Sequence, residues 1–188
     1  MRAERPFPGI DTPMRVVMTA GGAVVVDALV IWRFGTGAVL GAFLLFGTVS
    51  AVVAATDLAS RKIPAAIVLP AYPFAAVLLA VASADGGQWW RLARGGIGLV
   101  ALAGFYLALG LAFPGQLGMG DIKLGGLIGL YLAWISWAAL VTGTLLAWLL
   151  AALAIPAIRI STRGVAPKEL PAGPFLVAGA IVVVLLSR

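Results

Sequence analysis

The sequence predicts an all-α fold: a polytopic bundle of transmembrane helices with six core spans and an extra span at the N-terminus. Three observations predict it. The 188 residues are 62% hydrophobic and 11% charged, with a mean hydropathy of +1.10. A soluble domain is about half apolar and about a quarter charged. The apolar residues gather into runs near the ~20 residues that cross a hydrocarbon core of about 30 Å. The charges fall in short polar segments between those runs.

Residues 1–13 are polar and contain Pro6, Pro8 and Pro13, and read as a short cytoplasmic tail. The first apolar run, 16–32, is interrupted by Gly21, Gly22 and Asp27. No A-x-A cleavage site follows it, so it reads as a retained span rather than a signal peptide, with an interfacial helix as the alternative. Residues 1–35 thus form an N-terminal unit and 36–188 the main membrane domain.

The second run, 36–56, ends at Asp57, and Ser60-Arg61-Lys62 makes a polar bend. The third, 63–83, opens on Ile63-Pro64; proline suits a helix start because its missing N–H would lack a partner there. A polar loop over 85–94 carries Trp89 and Trp90, residues at home in the membrane interface. The fourth run, 95–113, is broken by Pro114-Gly115.

From Ile122 to Ile158 the chain is apolar for 37 residues, too long for one span. Dividing it near Ser136 leaves a short fifth span, 122–134, and a longer sixth, 137–158. At ~1.5 Å per residue the short helix cannot cross the core, so either the bilayer thins there or the helix begins partway down. The second case holds Asp121 below the membrane surface. After the polar segment 159–169, a last run of 173–187 completes the set.

Loop charges orient the bundle. With the N-terminus inside, the inner segments hold nine basic residues (Arg2, Arg5, Arg15, Arg61, Lys62, Lys123, Arg159, Arg163, Lys168). The outer segments hold four (Arg33, Arg91, Arg94, Arg188). Positive charge collects on the cytoplasmic side of membrane proteins. The same topology explains the net charge of +6 without nucleic acid, for which no basic stripe with interleaved aromatics is present.

Histidine and cysteine are both absent. That excludes disulfides, His/Cys zinc sites, the H-E-x-x-H motif and nucleophiles paired with histidine. Carboxylates, lysines, hydroxyls and backbone groups remain, and neither metal nor cofactor is expected.

Among these, Asp57 and Asp121 stand out, because the topology puts both at the cytoplasmic ends of their spans. They meet if the second span packs against the fifth. Two close carboxylates share one proton and titrate as a unit, which suits aspartic proteolysis: the anion activates water while the neutral acid polarises the scissile carbonyl. Asp57 follows the last turn of its helix and Asp121 precedes the first turn of its own, so the helix dipoles favour Asp121 as base and Asp57 as acid by roughly 0.3–1 kcal/mol each. Arg61 and Lys62 oppose that bias. Gly118 and Gly120 flank Met119 and let the loop approach an extended peptide backbone. Lys123 is a candidate contact for a substrate carboxylate.

Each residue also has a plainer reading. Asp57 suits an interfacial helix end, Asp121 a helix cap, Lys123 an inside-flanking charge, and Asp27 a satisfied polar group in the bundle. Gly-x-Gly-Asp is not rare by chance in a chain with 24 glycines.

Three motifs together carry a resemblance. Asp57 with Ile63-Pro64 is similar to Asp-x5-Ile-Pro-Asn, and Gly118-Met119-Gly120-Asp121-Ile122-Lys123 is similar to Gly-x-Gly-Asp-x-Lys. Leu170-Pro171-Ala172-Gly173-Pro174-Phe175-Leu176 is similar to Pro-x-x-Pro-Phe-Leu. In this order and spacing, over residues 36–187, the chain resembles the type IV prepilin peptidases, membrane aspartic proteases. The resemblance implies that Asp57 and Asp121 form the catalytic dyad. It implies cleavage of the leader peptide of a prepilin or pseudopilin, after a glycine that precedes an apolar helix. The implied site is the cytoplasmic face of a bacterial inner membrane, where membrane lipid is the other partner.

The sequence departs from the family at Ala65, where asparagine is usual. It also lacks the cysteine-rich segment of the longer enzymes that methylate the new N-terminus. It resembles the short form associated with Tad (Flp) pili. A transporter with Asp27, Asp57 and Asp121 along a path, and a non-catalytic scaffold for pilus assembly, are the competing readings.

Overall fold

A computed structural model describes residues 12–114, 117–161 and 172–187. These form seven helices: α1 (Thr12–Phe34), α2 (Val39–Ser60), α3 (Ala65–Asp85), α4 (Trp89–Ala112), α5 (Met119–Ile135), α6 (Trp137–Ser161) and α7 (Gly173–Leu186). The described residues contain no strand. Most of the N-terminal tail, Arg163, Lys168, Leu170, Pro171 and Arg188 lie outside them. Val39–Ser60, Ala65–Asp85, Trp89–Ala112 and Trp137–Ala154 are long and apolar enough to cross a membrane.

Every expected apolar run is a helix, with boundaries moved by local chemistry. Helix α2 continues to Ser60, so Asp57 lies in its last turn rather than beyond it. It stops at Arg61, which is left-handed (φ 53°, ψ 33°) and donates its N–H to the Asp57 carbonyl at 2.7 Å. Glycine is the usual residue at such a cap; a residue with a Cβ pays roughly 1–2 kcal/mol for the conformation. Pro64 is the N-cap of α3, which accommodates Pro70 and Pro73 within it.

The tryptophan-bearing loop is shorter than the sequence suggests. Gly87, at φ 63°, makes the turn, and Trp89 already begins α4. No helix breaker follows Gln88, so Trp90, Arg91 and Arg94 are all helical. The break expected near Ser136 falls on Ser136 itself. One extended residue (φ −168°, ψ 162°) separates α5 from α6, and its hydroxyl accepts the Ala139 N–H at 2.9 Å.

Helix α5 is the centre of the bundle. Residues 124–134 are buried without interruption, as expected of a helix that is apolar all round. It has 17 residues rather than the expected 13, because Gly118 caps it and draws Met119 to Asp121 into the first turn. Its length is about 25 Å at ~1.5 Å per residue, and its neighbours rather than lipid surround it.

Small residues let α4 lie closest. A Cβ on Gly98 would collide with Ala133 and the Gly129 carbonyl, and one on Gly125 would collide with Tyr106. Towards α2 the gap is bridged by large side chains instead. Tyr131 donates to the Ala42 carbonyl at 2.9 Å and packs on Phe46 with ring centroids 4.6 Å apart. Helices α2 and α5 therefore touch through aromatic rings, at the ends away from Asp57 and Asp121, rather than packing along their length.

The far end of α5 is capped by Arg94 of α4, which donates to the carbonyls of Ala133, Trp134 and Ile135. The expected outer-loop charge thus satisfies a helix C-terminus, where a cation also opposes the dipole. Trp134 donates to Ser83 of α3 at 2.9 Å. Helix α1 packs chiefly on α2, where Asp27 accepts the Thr48 hydroxyl at 2.8 Å beside Gly47. Asp27 is thus half satisfied: its Oδ1 is buried without a hydrogen-bond partner among the described residues.

Candidate active site

Three chain segments converge at one end of the bundle: the α2–α3 corner, the start of α5 and the start of α7. Ile63 is where they touch. A Cβ on Gly120, in the first turn of α5, would sit 2.6 Å from the Ile63 Cβ. A Cβ on Gly173, the first residue of α7, would lie 3.3 Å from the Ile63 Cδ1 and 2.7 Å from the Asp57 Oδ2. At both glycines the helices approach so closely that a Cβ would have to displace a neighbouring group.

Asp57 is only 4% exposed. Its position follows from α2 continuing past it while α7 begins against it: its Oδ2 accepts the Gly173 N–H at 2.9 Å. The carboxylate satisfies one of the amides that a helix N-terminus leaves without an internal partner. Loop charges and carboxylate placement do not single out Gly173, whose signal in the sequence is a glycine directly before a proline at the start of an apolar run.

Asp121 is half-buried in the first turn of α5 and accepts the Gly118 N–H at 3.0 Å, which reaches back to the residue capping its own helix. It therefore sits inside the helix rather than before it. Asp57 and Asp121 are brought to the same corner by Ile63, which packs on Gly120 beside Asp121 and on Gly173 against the Asp57 carboxylate, and Tyr106 of α4 packs on Gly125, one turn along α5 from Asp121. The Tyr106 hydroxyl accepts the Trp148 indole N–H at 3.3 Å, tying this corner to α6.

The two carboxylates are similarly held: one oxygen of each takes one backbone N–H, and no side chain donates to either among the described residues. The hydrogen bonds give no preference for which acid holds a shared proton. The helix dipoles keep their earlier sense, with Asp57 in a last turn and Asp121 in a first. A pair bound in this way leaves an oxygen on each acid for water or a peptide carbonyl.

The other expected site residues fare unevenly. Gly118 is exposed, at φ −77°, so its backbone does not require glycine. Gly120 is packed on Ile63 rather than free to reshape around a peptide. Lys123 is half-buried one turn further along α5, and its carbonyl accepts the Tyr72 hydroxyl of α3 at 2.5 Å. Asp27 bonds Thr48 within the α1–α2 pair, apart from the converging segments. No cluster of three metal-ligating carboxylates occurs among the described residues. Comparison with protein-family models, with curated proteins and with solved structures yields no match.

Proposed function

We propose that the chain is a membrane-embedded aspartic endopeptidase of the type IV prepilin peptidase kind, with Asp57 and Asp121 as its dyad. The observation that carries this reading is the convergence on Ile63. Residues of three motifs far apart in sequence come together there, with Asp57 and Asp121 on segments that meet at Ile63. In this reading six core helices cross a bacterial inner membrane, α5 and α7 as short spans, with α1 as an added one. The dyad faces the cytoplasm. The substrate is a prepilin or pseudopilin whose leader is cut before an apolar helix. The chemistry needs no metal or cofactor: one carboxylate takes a proton from water while the other, protonated, polarises the scissile carbonyl.

One structural feature favours a plainer alternative, a non-catalytic scaffold, because each carboxylate also caps a helix. Asparagine separates the two, since it caps about as well as aspartate but cannot exchange a proton in the same way. A candidate prepilin is co-expressed with the parent, Asp57→Asn and Asp121→Asn proteins, and leader removal is followed by mass. Each variant is expected to keep its melting temperature and to lose cleavage by about 100-fold or more. Cleavage at the parent rate by either variant sinks the dyad.

A further inference from the structure

Arg61 has an unfilled hydrogen-bonding capacity beside the candidate dyad. Its Nε is buried, yet it has no hydrogen-bond partner among the described residues. Buried donors are nearly always paired, so an orphan of this kind needs an explanation. Its location is fixed: the Arg61 N–H closes α2 onto the Asp57 carbonyl at 2.7 Å, putting its Cα one helical turn from Asp57. It also occupies a left-handed cap, at φ 53°, where glycine would sit more easily. A helix stop alone does not call for arginine here.

Its neighbour Lys62 is exposed, and supplies the cation that a helix end ordinarily offers to lipid headgroups. Arg61 is half-buried instead, on the chain segment that leads through Ile63 to the first turn of α5. Lys123 lies one turn beyond Gly120 on that helix. Arg61 and Lys123 thus lie on the two helices that carry Asp57 and Asp121, and the Arg61 Nε–H is the buried donor among them left open to an incoming anion.

We propose that the Arg61 guanidinium binds a carboxylate of the peptide substrate close to the scissile bond. The proposal rests on the protease reading and adds a determinant of substrate choice to it. A guanidinium suits this task because its planar donors match a carboxylate in a fixed geometry that an ammonium cannot reproduce.

The test uses the full chain reconstituted in vesicles and a substrate protein with glycine ahead of an apolar helix. Each acidic residue near that glycine is changed in turn to its amide. Arg61→Gly is expected to raise KM roughly 10–100-fold, with a smaller change in kcat. Its melting temperature should equal or exceed the parent's, because glycine fits the left-handed cap. Arg61→Lys should recover only part of the affinity. For one substrate variant the Arg61→Gly penalty should vanish, which identifies the carboxylate bound.

A penalty of equal size on every amide variant overturns the proposal. So does a penalty seen only in vesicles containing phosphatidylglycerol, which assigns Arg61 to a lipid phosphate. Cleavage that needs Asp57 but has a KM indifferent to Arg61 overturns the Arg61 assignment alone. A parent protein that cleaves no substrate overturns the protease reading and this assignment with it.

Discussion

Gly173 and Gly120 are both tight contacts, yet substitution at each should fail differently, because different atoms stand in the way. At Gly173 a Cβ would meet the Asp57 Oδ2, the free end of a side chain that can turn aside. Gly173→Ala should therefore keep the fold but push the carboxylate out of line and weaken its bond to the α7 amide. A misplacement of about 1 Å in a catalytic group costs on the order of 100-fold in rate. The expected result is a cleavage rate down by that order with a melting temperature within a few degrees of the parent. A melting temperature that collapses with the rate would show that Gly173 is there for packing alone. At Gly120 the obstacle is the Ile63 Cβ and the backbone beside it, which cannot rotate away. Gly120→Ala should destabilise by about 1–3 kcal/mol, as overpacking does, and lose activity only in proportion to unfolded protein.

The existence of each helix was legible because apolar runs of span length are a strong, local signal. Their ends were less so, because caps depend on contacts between distant residues. Asp57 illustrates this: its place inside α2 depends on Arg61 adopting a left-handed cap, which the sequence does not advertise. That Asp57 and Asp121 fall at one end of the bundle could be inferred from topology, whereas the Gly173 N–H that holds Asp57 could not, since it comes from the far end of the chain. The closest helix pair, α4 with α5, was likewise hidden. Its glycines look like ordinary membrane composition until the facing residues are known. Small residues set how closely membrane helices approach, where burial of apolar surface alone gives little drive between helices in lipid. Gly98→Ala should lower the unfolding midpoint by an amount equivalent to about 1–3 kcal/mol, because its Cβ meets Ala133 and the Gly129 backbone. Gly104→Ala on the same helix meets nothing within 4 Å and should be neutral or slightly stabilising. Equal responses to the two substitutions would refute the close-packing account of this interface.

At the scale of the whole molecule, the protease reading requires that the α2–α3 corner and the start of α5 open to the same side of the membrane. The helices make that side testable, and the chain itself is convenient for the test because it contains no cysteine. Single cysteines can be placed at Ser60 and Met119, both exposed near the candidate dyad, and at Thr36 and Gln88, both exposed at the opposite ends of α2 and α3. A membrane-impermeant maleimide applied to sealed inverted vesicles should label Ser60→Cys and Met119→Cys. Applied to intact spheroplasts, it should label Thr36→Cys and Gln88→Cys. Labelling of Ser60→Cys and Met119→Cys from opposite sides would end the dyad reading whatever the distance between the carboxylates, since no soluble leader could reach both. Labelling of all four from one side would mean that α2 and α3 do not span. The shortness of α5 adds a graded expectation. On the protease reading, a central helix of about 25 Å beside the longer α3, α4 and α6 has one of its ends beneath the membrane surface. Arg94 on α4 caps the far end by reaching three carbonyls, which ties that end to a helix long and apolar enough to span. The near end, with Asp121, is then the one recessed. Met119→Cys should react more slowly than Ser60→Cys with a bulky maleimide and at a similar rate with a small one. Equal rates with both reagents would place Asp121 at the surface and remove the recess from the mechanism.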